Sequence, residues 1–455
     1  MEQGPRPIPT VEAENIDPRK NIPEEHREAQ DSRREREEDL THLIHEWWRG
    51  DAHTHSTASS REGYDHVEGI YDINEIRSYY EKLGLEFVAV TEHATNPNKP
   101  EVMDEDHPIS KQLLAEADAI TRANQESPGI AAISGVEASI LFDQEGNPTL
   151  DVPSEVANKL DLVVASRHNM NAGHEGVDYE HNLGAIRSSL LAAAEHPDVD
   201  VIGHMDRFIK METNWDLFRK NATPDVAAFH AEKTALEAKK KAAQTDAERA
   251  AIQEQLETDY YRVIRKVIGK QELTADDLAD PRLAAWRSAY LMTERTYWRN
   301  MEEVLDAMAA NGKAMEINLS AQPSETLIGK AVARGIPFFL NFDAHDFNKY
   351  KWQHTELHKK GYKAKDAWAK GELTPEDEGV LRLYKMDRMS SGPGVRPLLH
   401  LVRTIRMLER LGVKPDRVVN SSKNRLTTFL TETRGKHTEN LENLAGQKGP
   451  DDGQG

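Results

Sequence analysis

Histidines and acidic residues recur in this chain at spacings that suit metal binding. His53 and His55 stand two residues apart, and Asp343 and His345 repeat that spacing. On an extended segment such pairs point to the same side, so both members can bind one ion. Four single residues complete the set of candidate ligands, namely His93, Glu137, His168 and His204. A lone histidine is more often a core or surface residue, but the whole set predicts a metal cluster.

The types of ligand restrict the metal and the chemistry. Imidazole with carboxylate suits Zn, Mn, Fe or Co, and the chain has no cysteine for a thiolate site. One tetrahedral ion uses four ligands, so the surplus predicts two or three divalent ions. Closely spaced ions suit phosphoryl transfer to water, because they activate the water and neutralise phosphoryl oxygens. Arg167 and Arg207 are candidates to bind those oxygens; the alternative is a surface or salt-bridged arginine.

The elements that position these residues are predicted from short apolar runs that alternate with amphipathic helical patterns, as in parallel strands with crossover helices. The first strand is predicted to end around Asp51, and the other six cover 85–91, 130–134, 162–166, 199–203, 314–319 and 336–341. Helices are predicted at 72–83, ended by Gly84, from Ser110, and at 182–195. Further helices are predicted from Pro281 towards Gly312, from Ser324 to Gly335, and at 395–411, where an apolar helix would cover the bottom of the barrel. Every strand except the sixth is followed by a candidate ligand. Since the carboxyl ends of barrel strands share one face, we expect the ligands to meet there.

The regular alternation stops after the fifth strand, where residues 213–312 read as a helical insertion. Its lysines and glutamates, interleaved with alanine, are typical of a solvated hairpin, although it could also cap the site or support a homo-oligomer. The predicted division has five parts: a polar, partly disordered or helical segment 1–48, the first part of the barrel 49–212, the insertion, the rest of the barrel with a closing helix 313–432, and a disordered tail 433–455.

Composition excludes several classes of function. The formal net charge of −20 argues against a general nucleic-acid surface, which needs a basic stripe. No apolar run is long enough to span a bilayer, and no apolar signal segment follows Met1, so a cytoplasmic protein without a membrane partner is expected. The absence of cysteine excludes disulfides and cysteine nucleophiles.

From His53-Thr54-His55 to Asp343-Ala344-His345, the motifs resemble those of the PHP family, named for polymerase and histidinol phosphatase. The intervening motifs are Thr91-Glu92-His93, Gly135-Val136-Glu137, His168 and His204, and the resemblance extends over roughly 49–430. It implies a distorted (β/α)7 TIM-like barrel of the PHP type, with the insertion between the fifth and sixth strands.

The resemblance also implies a partition of the ligands. One ion would be held by His53, His55, Glu137 and Asp343, and a second by Glu137, His168 and His204. A third would use His93, His345 and Glu62, since the family has a further ligand shortly after its first motif. Asp65 and His66 are rivals for the place of Glu62, and Glu92 is expected beside the ions rather than on them.

The function expected from this pattern is hydrolysis of a phosphate monoester of a small metabolite. A phosphodiesterase or nuclease that acts on nucleotides or nucleic-acid ends is the first alternative. An amidohydrolase-type barrel also begins with two histidines, but His93, Glu137 and the final Asp343-Ala344-His345 motif argue against it. A non-catalytic metal-binding or interaction module is the remaining alternative, disfavoured because buried ligands without a metal cost stability.

Overall fold

The computed structural model describes the chain at residues 41–59, 69–96, 101–126, 129–143, 145–168, 179–205, 224–257, 299, 301–319, 324–344, 374 and 395–434. Contacts divide the chain into two units, Met1–Glu46 and Trp47–Gly455. In the first unit, the described residues 41–46 are helical. The sheet and the candidate ligands lie in the second unit.

A parallel sheet of seven strands forms the centre of the second unit, in the order β1-β2-β3-β5-β6-β7-β8. An eighth, antiparallel strand, β4, forms a hairpin with β3. The bounds are β1 Gly50–Thr54, β2 Phe87–His93, β3 Ala131–Phe142, β4 Pro148–Leu150, β5 Leu162–Ser166, β6 Val201–Ile202, β7 Ala314–Asn318 and β8 Phe338–Asn341. The number of parallel strands agrees with the prediction. The hairpin was not predicted, and β3 is much longer than residues 130–134.

Helices connect the strands, as crossover connections between parallel strands require. They are α1 Ile73–Lys82, α2 Pro108–Glu126, α3 Ser154–Ala157, α4 Tyr179–Glu195, α5 Pro224–Ala242, α6 Asp246–Gln255, α7 Glu302–Ala310, α8 Glu325–Ala333, α9 Val395–Arg410 and α10 Lys423–Arg434. Asp72 caps α1 through a capping box with Glu75, and Ser324 caps α8. Gly84 follows α1 and Gly335 follows α8 with positive φ, as their predicted roles as helix ends require.

The sheet closes into a barrel because β1 contacts β8. Near the carboxyl ends of these strands, His55 N donates to Ala344 O (3.0 Å) and Ala344 N donates to His53 O (3.2 Å). Lower down, the buried side chain of Asn420 fills the junction: its Nδ2 donates to Gly50 O and Leu340 O, both at 2.8 Å. Its Oδ1 accepts from Leu340 N at 3.0 Å. The predicted (β/α)7 TIM-like barrel is therefore confirmed, with one amide joining its first and last strands.

The barrel core is closed from below by α10, not by the helix at 395–411 that was predicted to do so. Leu426, Phe429 and Leu430 of α10 pack against inward residues of the strands such as Phe87 and Phe339. Arg434 at the end of α10 donates to both carboxylate oxygens of Asp200 (2.6 and 2.5 Å). The earlier helix, α9, instead lies next to α8, where Leu411 approaches Gly329. The prediction favoured 395–411 because this segment is more apolar than the segment that forms α10.

The insertion is described in part. Residues 224–257 form α5 and α6, which are separated by the cap Thr245, and α7 ends the insertion before Gly312. Most of the helix predicted to begin at Pro281 lies outside the described residues, and α7 occupies the end of the predicted range. The predicted division of the chain into five parts stays a prediction. Within the described part of the chain, no helix has the length and apolar character needed to cross a membrane.

Candidate metal centre

Glu137 lies at the middle of the barrel mouth, where five histidines surround its carboxylate. Its Oε1 is 2.9 Å from His168 Nε2 and 2.9 Å from His204 Nε2. Its Oε2 is 2.9 Å from His93 Nδ1, 3.2 Å from His53 Nε2 and 3.5 Å from His55 Nε2. All six side chains are at least nine-tenths buried. One carboxylate thus has ring nitrogens on both of its oxygens, which is the arrangement of a bridging ligand.

Asp343 completes the cluster on the side of the first strand. Its Oδ1 is 3.4 Å from His55 Nε2 and 3.7 Å from His53 Nε2. Three groups of possible ligand atoms result, each with all its atoms within 4.8 Å of one another: His53 with His55 and Asp343, His55 with His93 and Glu137, and Glu137 with His168 and His204. The groups share His55 and Glu137, so they form one continuous cluster of possible ligand atoms.

Irregular backbone at both strands of the closure aims the ligands inward. Between Asp51 and Thr54, β1 has a bulge relative to β2, so Ala52 faces the core while His53 faces the centre. After β8 ends at Asn341, the chain passes through Asp343 at φ 52° before Ala344 returns to pair with Thr54. Aspartate tolerates this left-handed conformation better than most residues, yet it remains strained. The first motif therefore lies at a bulge, and Asp343 of the second has a left-handed backbone, whereas a regular extended segment was predicted for both.

Two glycines permit the close approach of the strands that carry ligands. A Cβ at Gly135, two residues before Glu137, would lie 2.7 Å from Thr91 Cγ2. A Cβ at Gly203, beside His204, would lie 2.1 Å from Ser166 Oγ. Glycine is needed at both positions because a Cβ atom would clash with a neighbouring strand, not because the backbone angles exclude other residues.

The sixth parallel strand, β7, supports the ligands although it supplies none. Glu316 Oε1 accepts from His53 Nδ1 at 2.6 Å, and its Oε2 accepts from the backbone N–H of His204 at 2.7 Å. Two residues further on, on the same side of the strand, Asn318 Nδ2 donates to Asp343 Oδ2 at 3.0 Å. Sequence reasoning missed both residues. The available signal was a charged residue inside the otherwise apolar run Ala314-Met315-Glu316-Ile317.

Buried serines contact two further histidines. Ser59 Oγ is 3.2 Å from His55 Nδ1, and its hydroxyl donates to the carboxylate of Glu92. Ser139 Oγ is 3.0 Å from His168 Nδ1. Glu92 points away from the cluster, towards Ser56 and Ser59, which agrees with its expected place beside the ions.

The cluster shifts the pKa values of its members. Burial raises the pKa of Glu137, but the imidazoles of His168, His53 and His93 outweigh it and hold the pKa well below its usual range. Burial lowers the pKa of His53, but the charges of Glu316, Glu137 and Asp343 raise it well above its ordinary value. Burial lowers the pKa of His168 to about 4.

The chemistry of this donor set fits divalent metal ions. Nε2 of His53 and Oε2 of Glu137 are buried, face each other and have no well-aligned hydrogen bond to the described residues. Buried polar atoms without such partners are rare, because their desolvation is costly. A cation between them would satisfy both, and imidazole with carboxylate is a ligand set for Zn, Mn or Fe. His53 and His55 meet the other requirement of a metal site, since their Nδ1 atoms are hydrogen-bonded away from the cluster.

The structure brings together seven of the nine predicted metal ligands, listed as His53, His55, His93, Glu137, His168, His204 and Asp343. Glu62 and His345 lie outside the described residues, as do Asp65, His66 and Arg207. The side chain of Arg167 contacts α4. Its Nη1 donates to Ser189 Oγ (2.6 Å) and Ala185 O (3.1 Å) of α4, and its guanidinium lies over the ring of Phe142. These contacts favour a structural role for Arg167 over binding of phosphoryl oxygens.

Comparison with known proteins gives relatives by sequence. No protein-family model matches the chain. A probable phosphatase from a Thermoanaerobacter species is 32% identical over 154 residues, which cover 34% of this chain and 52% of that protein. PolX from Bacillus subtilis, a DNA polymerase/3'-5' exonuclease, is 27% identical over 176 residues, which cover 38% of this chain and 28% of that protein. The chain thus spans about half the length of the probable phosphatase that it matches, and less of PolX.

Solved structures also align with the chain. One of them is histidinol phosphate phosphatase from Lactococcus lactis, complexed with Zn, L-histidinol and phosphate, at 14% identity and a TM-score of 0.35, over 75% of this chain and 93% of that one. The assignment of the barrel depends on the strand order and closure described above, not on this alignment. The sequence relatives and the order of the ligand motifs around the barrel confirm that the chain is similar to the PHP family of phosphoesterases.

Proposed function

We propose that this protein is a metal-dependent phosphoesterase that hydrolyses a phosphate monoester of a small metabolite with two or three divalent ions. The observation that supports this most strongly is the carboxylate of Glu137, which has ring nitrogens within 2.9 Å on both of its oxygens. The relatives named as probable phosphatases support the same reaction.

In this proposal His53, His55, Glu137 and Asp343 would hold one ion, and Glu137, His168 and His204 would hold a second. His93 belongs to the same cluster and, with His345 and Glu62, would serve a third. Bound divalent ions would supply an activated water and neutralise the charge of the phosphoryl oxygens.

The protein's own contribution is orientation. Glu316 accepts from His53 Nδ1, so Nε2 is the ring nitrogen of His53 that faces Glu137. Asn318 holds one oxygen of Asp343 and leaves Oδ1 directed at His53 and His55. The Zn, Mn or Fe ions, the small substrate and the cytoplasmic location belong to the proposal, as does phosphate binding by Arg207.

A phosphodiesterase or exonuclease is the second candidate, favoured by the similarity to PolX. The net charge of −20 opposes long nucleic acids but not small nucleotides. The two candidates differ in the ester that they cleave, so substrate chemistry separates them.

The test compares hydrolysis of p-nitrophenyl phosphate with that of bis(p-nitrophenyl) phosphate after addition of Mn or Zn. We expect turnover of the monoester, loss of that turnover in His53→Ala, and near wild-type rates in His107→Ala, a partly exposed histidine outside the cluster. Preference for the diester would support the second candidate. Wild-type rates in His53→Ala would contradict the metal centre.

A further inference from the structure

Two buried serines stand in equivalent positions behind two histidines of the cluster. Ser59 lies between the Glu92 carboxylate and Nδ1 of His55, and Ser139 lies between the Asp151 carboxylate and Nδ1 of His168. All of these side chains are buried except that His168 is slightly accessible. The two histidines belong to different groups of possible ligands, one with Asp343 and the other with His204.

The hydrogen bonds of Ser59 fix the direction of its proton. An ionised carboxylate only accepts, so the hydroxyl of Ser59 donates to Glu92. A hydroxyl has one proton and two lone pairs, and one lone pair accepts from His93 N at 3.1 Å. The remaining lone pair faces His55 Nδ1 at 3.2 Å. His55 must then carry its proton on Nδ1, which leaves the Nε2 lone pair directed at the cluster.

Ser139, which lies on β3, has a similar set of contacts. Its backbone N–H donates to Asp151 Oδ1 at 2.8 Å, and its hydroxyl also interacts favourably with that carboxylate. Thr95 supplies two more donors to Asp151, N at 3.2 Å and Oγ1 at 2.6 Å. When Asp151 is ionised it only accepts, so the hydroxyl of Ser139 donates to it and turns a lone pair towards His168 Nδ1, which lies at 3.0 Å.

We propose that Ser59 and Ser139 are positioning residues. Each serine links a buried carboxylate to Nδ1 of one histidine by hydrogen bonds, and so orients that histidine for metal binding. Ser59 acts on the ion beside His55, and Ser139 acts on the ion beside His168. The inference rests on the proposed metal centre, but not on the reaction that the centre performs.

The chain contains a matched control. Ser134, on the same strand as Ser139, donates from its backbone N–H (3.1 Å) and hydroxyl (2.7 Å) to a buried carboxylate, that of Asp161. Ser134 thus has the serine–aspartate pair without any recorded contact to a histidine. Replacing Ser134 removes the same kind of hydrogen bond and leaves the cluster untouched.

The experiment measures stepwise Zn dissociation constants of the full chain by competition with a chromophoric chelator, with the melting temperature of the metal-free protein as a second readout. We expect Ser59→Ala and Ser139→Ala each to weaken one step by about 10–100-fold without changing the number of ions. The hydroxyl-retaining variants Ser59→Thr and Ser139→Thr should recover most of that loss. Ser134→Ala should lower the melting temperature and leave every step unchanged.

Wild-type dissociation constants in both alanine variants would overturn the proposal. So would equal weakening in Ser134→Ala, because it would show a general loss of stability. Ester hydrolysis is scored separately on the same wild-type preparation. If the protein binds Zn in the expected pattern but cleaves no ester, the positioning role stands and the proposed function fails.

Discussion

Replacing Glu316 by glutamine tests whether β7 sets the affinity of the metal centre. Three donors share this carboxylate: His53 Nδ1 (2.6 Å) and Asn341 Nδ2 (3.1 Å) on Oε1, and the backbone N–H of His204 (2.7 Å) on Oε2. A glutamine offers one acceptor oxygen and one donor group, so whichever way the amide faces, at least one of these donors meets another donor.

The magnitude follows from this mismatch. Leaving one buried donor without an acceptor costs about 1–3 kcal/mol. If the cost falls on the orientation of His53, we expect a loss of metal affinity of about 10–100-fold, since second partners of ligating histidines have effects of that size. Loss of the Glu316 charge also lowers the pKa of His53, which that carboxylate raises.

The assay is Zn titration of Glu316→Gln against a chelator, with urea unfolding of the metal-free protein alongside. Glu302→Gln is the matched control, because Glu302 is partly exposed and pairs with Lys330 and Arg334 outside the cluster. Such exposed pairs contribute roughly 0–1 kcal/mol and should not change metal affinity. Wild-type Zn affinity in Glu316→Gln would refute the supporting role of β7.

Four further predictions concern stability and substrate binding. Asn420→Ala should lower the unfolding free energy by roughly 2–4 kcal/mol in urea, because several buried backbone groups at the barrel closure lose their partner; a change below about 0.5 kcal/mol would contradict that role. Asp343→Gly should abolish metal-dependent turnover without lowering the melting temperature of the metal-free protein, since glycine relieves the strain of its positive φ; retained turnover would remove it from the site. Burial raises the pKa of Asp151 to about 7 from 3.8, so its contribution to stability is lost as pH rises through that window. Asp151→Asn lacks this titration, so the unfolding free energy of the wild type should fall relative to that of the variant between about pH 4 and pH 7, by up to about 1.4 kcal/mol per pH unit in urea unfolding; a constant difference would contradict the shift. Arg207→Ala should raise KM or lower kcat for the monoester about tenfold through loss of a charge-assisted bond, whereas Arg167→Ala should lower stability with KM unchanged; the reverse pattern in steady-state kinetics would restore the first interpretation of Arg167.

Much of the architecture could be predicted from local signals. The helix α1 could be predicted because its capping box at Asp72 and the glycine after its end are local features, formed by residues within one turn of each other. The strand Leu162–Ser166 matched its apolar run residue for residue. Candidate ligands at successive strand ends also came together, because parallel barrel strands all present their carboxyl ends on one face.

What could not be predicted depends on contacts between distant residues. The bulge in β1 appears only in its register with β2, so the sequence did not show that Ala52 and His53 both face inward. Asn420 joins β1 to β8 across more than 300 residues of chain, and no local pattern reports that. The sequence likewise did not show that α10, and not α9, closes the bottom of the barrel, because this depends on which apolar helix face packs against the end of the sheet.

The supporting residues of the site show the same limit. Glu316 lies within its strand, whereas the sequence pattern predicts ligands only at strand ends. Arg167 is a candidate for phosphate binding from its place beside His168, and the acceptors that α4 supplies to it are not evident in the sequence. The position of a residue after a strand end predicted the ligands well, but the residues that contact those ligands come from distant parts of the chain and were predicted poorly.

The central claim, a multinuclear centre bridged by Glu137, is tested most directly by counting metal ions. Wild-type protein and Glu137→Gln, each supplemented with Zn and freed of excess, would be compared by elemental analysis per chain. We expect two or three ions in the wild type, and at least one fewer in the variant, because Glu137 belongs to two of the three ligand groups. Fewer than one ion per wild-type chain, or equal counts in both proteins, would contradict the account.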